Sequence, residues 1–594
     1  MLNVQSVIEE RFPELLNRAR FFRRPLLGAL RMLFHEKEFQ QFGERYPHLT
    51  GIEFIEEVFS YFDFSFSVRH NEKERIPVSG RVVIIANHPI GTLDGMALLK
   101  LVSDVRQDVK VMANDFLMSI QPLHDLLMPV DNIRGGTARE RLRAVHQHLE
   151  NEGALIIFPA GEVSRMGPSG IRDGKWRTGF LRIAEATQSP ILPVLVDARN
   201  SVFFYSLSFV SKPLSTLWLI REMFKHARNS VAIRIGEPVM PADYRLPNVP
   251  MKTLAKIFKK QVYRLAKGKD SLFRTQKAIA HPENRILLRK DILQCELLGE
   301  TKDHKKIYLY RHTHDSSLMR EIGRLREEAF RLVGEGTGGR RDMDRFDRSY
   351  FHIVLWDDQA LEVVGAYRLC GTGDRINDAG QPGIYSATLF QFQPEMRELL
   401  EEGLELGRSF VQPRYWGTRS LEYLWYGISA FLNKNPQYRY LLGPVSISNS
   451  YSREAKDLLV YFYSRYFASE CSGAIGNLPY VIDPLSRDLL DLQFHGLEGR
   501  DAFVQLKAQL SHLGYSVPTL YKQYSELCEP GGASFMAFNV DPDFSDCIDG
   551  LVVVDLNRIL DSKRKRYNLL SRAGSETTDI PASQQAMSSQ MTVV

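Results

Sequence analysis

Charged residues set at the ends of, or inside, apolar runs are the first candidates for chemistry in this chain. Val82–Ala86 leads directly into Asn87-His88-Pro89-Ile90-Gly91-Thr92-Leu93-Asp94-Gly95. A histidine at a strand end, followed by turn residues and then a carboxylate, is how a sheet of alternating strands and helices presents a reactive group at its open edge. Neutral imidazole accepts a hydroxyl proton well near pH 7, and a nearby carboxylate fixes its tautomer and steadies the imidazolium that forms. The apolar run 155–158 leads into Pro159-Ala160-Gly161-Glu162-Val163-Ser164-Arg165, which puts a carboxylate, a hydroxyl and a guanidinium on one loop. In the second half, Glu405 and Arg408 interrupt the otherwise apolar run 404–411. Charges inside a strand are costly unless paired or functional.

These groups need elements to position them. Short apolar runs at 82–86, 109–113, 155–158, 191–196 and 231–235 alternate with helical periods, the clearest at 139–150, where Leu142, Val145 and Leu149 share a face before Gly153. Such alternation predicts an α/β sheet with helices packed on it over residues 81–270. From residue 284 to 572 paired strands dominate. Runs 351–356 and 361–369 flank a short turn and predict a hairpin, with further strands at 385–392, 404–411, 440–447, 534–540 and 551–554. A mostly antiparallel sheet with a few helices is the expectation there. Strand 404–411, the basic loop 412–418 and a helix carrying Leu421, Leu424, Trp425, Ile428, Phe431 and Leu432 on one face read as an anion cradle or as a plain amphipathic core helix, which the apolar face is in either case.

Length and composition bound the reading. A chain of 594 residues exceeds the roughly 250 to 300 residues at which one core stops growing, so two domains are expected. Hydrophobic content of 44% and charged content of 25% are those of a folded soluble protein. The five cysteines lie far apart with no metal-ligand spacing, which predicts free thiols, no metal and a cytoplasmic setting. A net charge of +5 is modest, and no nucleic-acid partner is expected. Residues 1–80 read as a helical region apposed to a membrane. There Arg18, Arg20, Arg23, Arg24 and Arg31 interleave with Phe21, Phe22, Leu26, Leu27, Leu30, Leu33 and Phe34, a mixture suited to an anionic headgroup layer or to a surface helix packed on its own domain. Run 202–220 contains Lys212 and Pro213 and falls short of a spanning helix. It reads as a surface hairpin touching lipid or as a buried helical pair. Residues 573–594 are expected to be a disordered tail.

The first two loops together resemble the glycerolipid acyltransferase family, which pairs a His-x4-Asp block with a Phe-Pro-Glu-Gly-Thr-Arg-Ser block. By that resemblance His88 and Asp94 are catalytic, and Glu162, Ser164 and Arg165 bind the acceptor. Arg134, in Asp131-Asn132-Ile133-Arg134-Gly135-Gly136, takes the place of the family's arginine block, and Ile191-Leu192-Pro193-Val194 that of its last block. Two departures stand out: the His-to-Asp spacing is one residue longer, and the acidic residue of the second block sits two places later, at Glu162. Both resemble the bacterial subgroup labelled hemolysin-like. Gly91 is the residue able to absorb the longer spacing.

The second half resembles the GNAT superfamily, and more closely its acyl-homoserine-lactone synthase branch, through Arg326 and Phe330, then Asp342, Asp344 and Asp347, then Arg368, then Glu405 and Arg408. The resemblance implies an N-acyltransferase in which Glu405 accepts a proton from the amine or grips it, while Arg368 and Arg408 hold a carboxylate or the acidic network. The superfamily's pyrophosphate loop is degenerate here, with Gly417 near its place, which favours acyl carrier protein over acyl-CoA as donor. No other cofactor is implied. The two blocks in this order resemble bifunctional ornithine-lipid synthases, supported by Gly443-Pro444-Val445-Ser446-Ile447-Ser448-Asn449. The expectation is an enzyme on the inner face of a bacterial membrane. Its second domain N-acylates an amino acid, ornithine first among the candidates, with a 3-hydroxyacyl chain, and its first domain esterifies that hydroxyl. The rival readings are a lysophosphatidic-acid acyltransferase with an accessory domain, and a membrane-binding protein without activity.

Overall fold

Five consecutive apolar residues, Val82–Ala86, are wholly buried, as a strand must be when helices cover both faces of its sheet. In the computed structural model this strand is the centre of the first of two units, residues 1–281 and 282–594. The structure describes residues 35–113, 120–129, 138–167, 170–210, 212–226, 229–312, 316–469 and 473–570, preceded by positions 28, 31 and 32. Arg18, Arg20, Arg23 and Arg24, the block around Arg134, Cys471 and the tail 573–594 lie outside the described residues.

The strands of the first unit are β1 (Ser65–Val68), β2 (Val82–Ala86), β3 (Val109–Ala113), β4 (Leu127–Pro129), β5 (Ala154–Ile157), β6 (Arg165–Gly167), β7 (Gly170–Arg172), β8 (Ile191–Asp197) and β9 (Ser230–Ile235). Seven of them make one sheet in the order β1-β9-β8-β2-β5-β3-β4, and β6 pairs only with β7. Strands β2, β3, β4, β5 and β8 run parallel, β9 runs against β8, and β1 follows β9. The two-residue period of a strand divides the core. Val82, Ile84 and Ala86 pack with residues of helices Gly51–Phe62 and Thr92–Ser103, and Val83 and Ile85 with those of Gly179–Thr187 and Met251–Leu265. Run 202–220 forms two helices, Val202–Val210 and Lys212–Lys225. Phe204 and Tyr205 pack on Val163, while Val202 remains 75% exposed.

The second unit carries β10 (Glu296–Glu300), β11 (Lys306–Arg311), β12 (Phe351–Asp357), β13 (Glu362–Gly371), β14 (Phe390–Phe392), β15 (Gly403–Val411), β16 (Tyr440–Ile447), β17 (Ala474–Gly476), β18 (Ala533–Asp541) and β19 (Cys547–Asp555). Eight of these form a sheet ordered β10-β11-β12-β13-β15-β16-β19-β18. Neighbours run antiparallel except β15 and β16. That parallel pair is registered only from Gly403↔Tyr440 to Glu405↔Leu442, after which the strands part. The expected strand at 385–392 shrinks to β14, because the Tyr385 and Ser386 amides bond the Glu405 carboxylate instead of a neighbouring strand.

The parting point depends on a glycine. A Cβ on Gly443 would stand 2.0 Å from the Leu406 carbonyl oxygen, a backbone clash that no rotamer relieves. Gly443→Ala is therefore expected to cost about 1–3 kcal/mol and to lower the melting temperature of this unit by several degrees in calorimetry. An unchanged transition would mean that β15 and β16 do not approach so closely.

Candidate functional site

Parallel β2 and β5 are neighbours, so their C-terminal ends lie side by side and the loops that follow open on one edge of the sheet. The Ser164 amide donates to the His88 carbonyl at 2.7 Å and ties the two loops together. Gly91 adopts φ +89°, a conformation open to glycine at little cost, and this turn takes up the extra residue between His88 and Asp94. Asp94 lands in the first turn of helix Thr92–Ser103, where its Oδ2 accepts the Ile90 and Gly91 amides at 2.9 and 3.3 Å. Its Oδ1 accepts from His88 Nδ1 at 2.8 Å. Asp94 is 0% exposed, whereas the His88 side chain is 19% exposed. A carboxylate only accepts hydrogen bonds, so Nδ1 carries the proton and Nε2 keeps its lone pair. Burial opposes protonation of His88, but the Asp94 charge and hydrogen bond, with a further contribution from Asp173, raise its pKa above the ordinary value.

Beside His88 lies a cavity of about 280 Å³ walled by Met96, Leu99, Val111, Leu127, Ile157 and Phe180, with Arg177 also on its lining. A predominantly apolar recess ending at an imidazole suits a hydrocarbon chain whose reactive end meets the base. The acceptor-loop residues take different places. Glu162 is exposed and lies 3.8 Å from Arg165, whose guanidinium stands over the Phe204 ring at 5.7 Å. The Ser164 hydroxyl is buried and donates to Asp173 Oδ1 at 2.5 Å, so it braces the loop. Arg134 lies outside the described residues.

Asp173 escaped the sequence reading, since an Asp before Gly174 looks like an ordinary turn residue. Its carboxylate also accepts from the His88 amide at 3.2 Å and from Trp176 Nε1 at 2.8 Å. Asn87 likewise links β2 to β8 by donating to the Val196 carbonyl and accepting from the Val196 amide.

In the second unit one face of the sheet carries a buried charge network. Arg326, from helix Ser317–Leu332, donates to Asp347 Oδ1 at 2.8 Å and to His352 Nδ1 at 3.2 Å. Arg368 donates to Asp344 and Asp347 at 2.7 and 3.1 Å. Burial, followed by the Arg326 charge, pushes His352 down to about 3, so it is a neutral acceptor. Burial of Asp347 is outweighed by Arg326 and Arg368, which hold its carboxyl far below the usual range. Asp344 and Asp347 also cap the turn Arg345–Arg348. Loop capping and charge pairing are thus done by the same residues.

Arg408 reaches this network through a bulge. Ala366 faces Phe410 and Arg368 faces Gly407, so Tyr367 stands opposite both Arg408 and Ser409. Arg408 takes φ +50°, a left-handed conformation that costs a residue other than glycine about 1–3 kcal/mol. The bulge brings its Nε to 3.1 Å from Asp342 and lets Nη1 donate to the Tyr385 hydroxyl at 3.2 Å.

Glu405, the proton acceptor expected from the sequence, is held on both of its carboxylate oxygens. It is 1% exposed, and its oxygens accept from the Tyr350 hydroxyl and from the Tyr385 and Ser386 amides, the last at 2.6 Å. That is the geometry of an anchor for the 385–386 turn. The expected anion cradle is also modified, because Arg414 and Arg419 are paired with Glu362 and Glu422 at 2.7 and 2.9 Å.

Two predictions follow from these geometries. Asp173→Asn removes one of the charges that raise the His88 pKa, so the acid limb of alcohol acylation is expected to move to lower pH; a pH–rate profile reads this, and an unmoved limb contradicts the electrostatic role. Glu405→Gln is expected to lower the melting temperature while leaving the pH profile of amine acylation in place, whereas a proton acceptor would take its limb of the profile with it.

Residues 6–271 match the family described as acyltransferase, and residues 325–426 match the acetyltransferase (GNAT) domain. The chain is 32% identical over 306 residues to a glycine N(alpha)-acyltransferase of Bacteroides thetaiotaomicron, an alignment covering 49% of this chain and 89% of that protein. It is 27% identical over 253 residues to a lyso-glycine lipid O-acyltransferase of Phocaeicola vulgatus, covering 41% and 89% respectively. A shorter match, 33% over 130 residues, joins it to an L-ornithine N(alpha)-acyltransferase of Brucella abortus, covering 18% of this chain and 43% of that one. An imidazole–carboxylate pair at the mouth of an apolar recess and a GNAT domain thus occupy one chain, which is a two-domain acyltransferase belonging to the family of these bacterial N(alpha)- and O-acyltransferases.

Proposed function

We propose that the chain builds a doubly acylated amino-acid lipid in two steps. The second unit joins a 3-hydroxyacyl chain to the α-amine of an amino acid, and the first unit esterifies the hydroxyl of that product with a second chain. The observation that carries this reading is the His88–Asp94 pair beside an apolar cavity, in the same chain as a GNAT domain. In the ester step His88 Nε2 takes the proton of the lyso-lipid hydroxyl as its oxygen attacks a thioester carbonyl, and Asp94 steadies the imidazolium. The leaving thiolate then recovers that proton. The acyl donor is a thioester of acyl carrier protein or of coenzyme A, with the carrier protein favoured by the degenerate loop near Gly417.

Relatives named for glycine and for ornithine both support an amino acid as acceptor. Among the described residues no helix is long and apolar enough to cross a membrane. We place the enzyme peripherally on the inner face of the membrane that receives its product, held there by the apolar and basic residues of the N-terminal region.

The reading is tested by expressing the full chain in a bacterium that lacks amino-acid lipids and analysing the lipid extract by mass spectrometry. A new lipid containing one amino acid and two acyl chains is expected, and His88→Ala should leave the singly acylated form. Extra phosphatidic acid without any amino-acid lipid would favour a lysophosphatidic-acid acyltransferase instead.

A further inference from the structure

Beyond the last paired residues of β15 and β16, Arg408 on one side faces carboxylates on the other. Ser446 of β16 stands opposite Asp549 of β19, on the sheet face that carries Glu405, because Glu405 is in register with Leu442 and residues 442 and 446 share that face. Asp549 is 3% exposed, with Oδ1 accepting from Ser446 Oγ at 2.7 Å and Oδ2 from the Cys547 thiol at 3.9 Å. The groups that face it come from every surrounding element. They are Ser446, Cys547, Asp541 of β18, Arg408 of β15, Tyr385, Tyr521, and Glu335 just beyond helix Ser317–Leu332. Among the described residues the Glu335 carboxylate has no hydrogen bond or ion pair.

Several buried donors of this network are left without a hydrogen-bond acceptor, and two of them lie on Arg368 and Ser386. Arg368, 1% exposed, leaves Nη2 unbonded, and the fully buried Ser386 leaves Oγ unbonded. Tyr385 links the two sides. Arg368 and Arg408 lie over its ring at 5.2 and 4.7 Å, and its hydroxyl is within the field of Asp549 and Asp541. Buried donors that lack acceptors are rare in folded proteins, and a water, an ion or a ligand group is what commonly completes them. The region therefore offers hydrogen-bond donors for an anion and carboxylates for a cation within one cluster, which is the complement of a free amino acid.

We infer that Asp549, with Glu335 beside it, receives the α-ammonium group of the acceptor, while Arg368 Nη2 and Ser386 Oγ receive its carboxylate. This rests on the second unit being the amino-acid N-acyltransferase. Asp549 takes one proton from the ammonium group, and the freed nitrogen attacks the thioester carbonyl. The C–N bond forms and the C–S bond breaks, the thiolate takes the proton held on Asp549, and the nitrogen gives its second proton to Glu335. Amide, thiol and one proton on Glu335 are the products. Burial, with the Asp541 charge adding and Ser446 and Arg408 opposing, pushes Asp549 up to about 7. Burial and the Asp549 charge push Glu335 up to about 8, against Arg408. Both carboxyls thus exchange protons near neutrality. Asp549 is the catalytic residue of the step, and the charged form needed to accept a proton grows as pH rises through about 7.

The test uses the full chain with a 3-hydroxyacyl thioester of acyl carrier protein, following thiol release and amide formation with glycine and with ornithine as separate probes. Asp549→Asn should lower kcat by about 10²- to 10⁴-fold and abolish the rise in rate through neutral pH, while esterification of a supplied lyso-lipid continues. Glu335→Gln should raise KM for the amino acid about tenfold and lower kcat, since the second proton then lacks its acceptor, without changing the melting temperature. Glycine methyl ester, which lacks the carboxylate, should be a poor acceptor. An Asp549→Asn variant within about threefold of the parent rate, with the parent pH profile, overturns the inference. If that variant melts early, Glu335→Gln decides, and an unchanged KM and profile overturn it. Should the parent protein form no amide with either probe, the reading of the second unit as an N-acyltransferase fails first, and the two failures are told apart.

Discussion

Parallel pairing of neighbouring strands is the constraint on which both candidate sites depend. Antiparallel neighbours exchange ends, but parallel neighbours bring their C-terminal ends to the same edge. In the first unit β2 and β5 are such neighbours, and the loops bearing His88 and Glu162 therefore start side by side. In the second unit β15 and β16 are the one parallel pair in an otherwise antiparallel sheet. Two parallel strands that pair briefly and then part leave unpaired backbone edges facing one another. Arg408, which follows Glu405, and Ser446, which follows Leu442 and pairs with Asp549 of β19, lie beyond the parting point.

The second unit also carries an unusual charge balance. Arg326, Arg368 and Arg408 share one sheet face with Asp342, Asp344, Asp347, Glu405, Asp541 and Asp549. The first group of carboxylates is held by the arginines, and Asp347 is strongly ionised as a result. At Asp342, Asp541 and Asp549 burial outweighs the nearest cation, and all three are raised. Ionised carboxyls left in excess in a buried cluster repel one another. A cation entering the cluster relieves that repulsion, which is a physical reason for the site to favour an ammonium group over a neutral amine.

The central strands were legible because helices cover both faces of a parallel sheet, leaving continuous runs such as Val82–Ala86. Strands β10 and β11 were missed because residues 296–311 are rich in charge and only one of the two strands is largely buried. The His88–Asp94 pair could be read because strand end, turn and carboxylate lie within nine residues of one another. Asp173 and Asp549 could not. Each looks locally like a turn or strand-edge acid, and only tertiary register sets Asp173 under the His88 amide and Asp549 opposite Ser446. The role of Glu405 was not legible for a related reason. A lone acid in an apolar strand announces that it must be paired, but its sequence does not say whether the partner is a substrate or the Tyr385–Ser386 backbone.

The different chemistry of the two nucleophiles accounts for the different construction of the two sites. An alcohol has no proton it readily gives up, so its acylation depends on an oriented imidazole whose lone pair faces the hydroxyl and whose far nitrogen is held by Asp94. An amine is already a good nucleophile once its ammonium form has lost a proton, and the α-ammonium of a free amino acid, beside its own carboxylate, holds that proton more tightly than a chain terminus with its pKa near about 8. A carboxylate at an ordinary pKa of about 4 would lie more than about four units below that, an uphill transfer of more than about 5 kcal/mol. A carboxyl raised to about 7 narrows the gap by about three units, or about 4 kcal/mol. Burial that would be a plain liability in a structural aspartate thus becomes, in the second unit, the property that matches a carboxyl group to an amine.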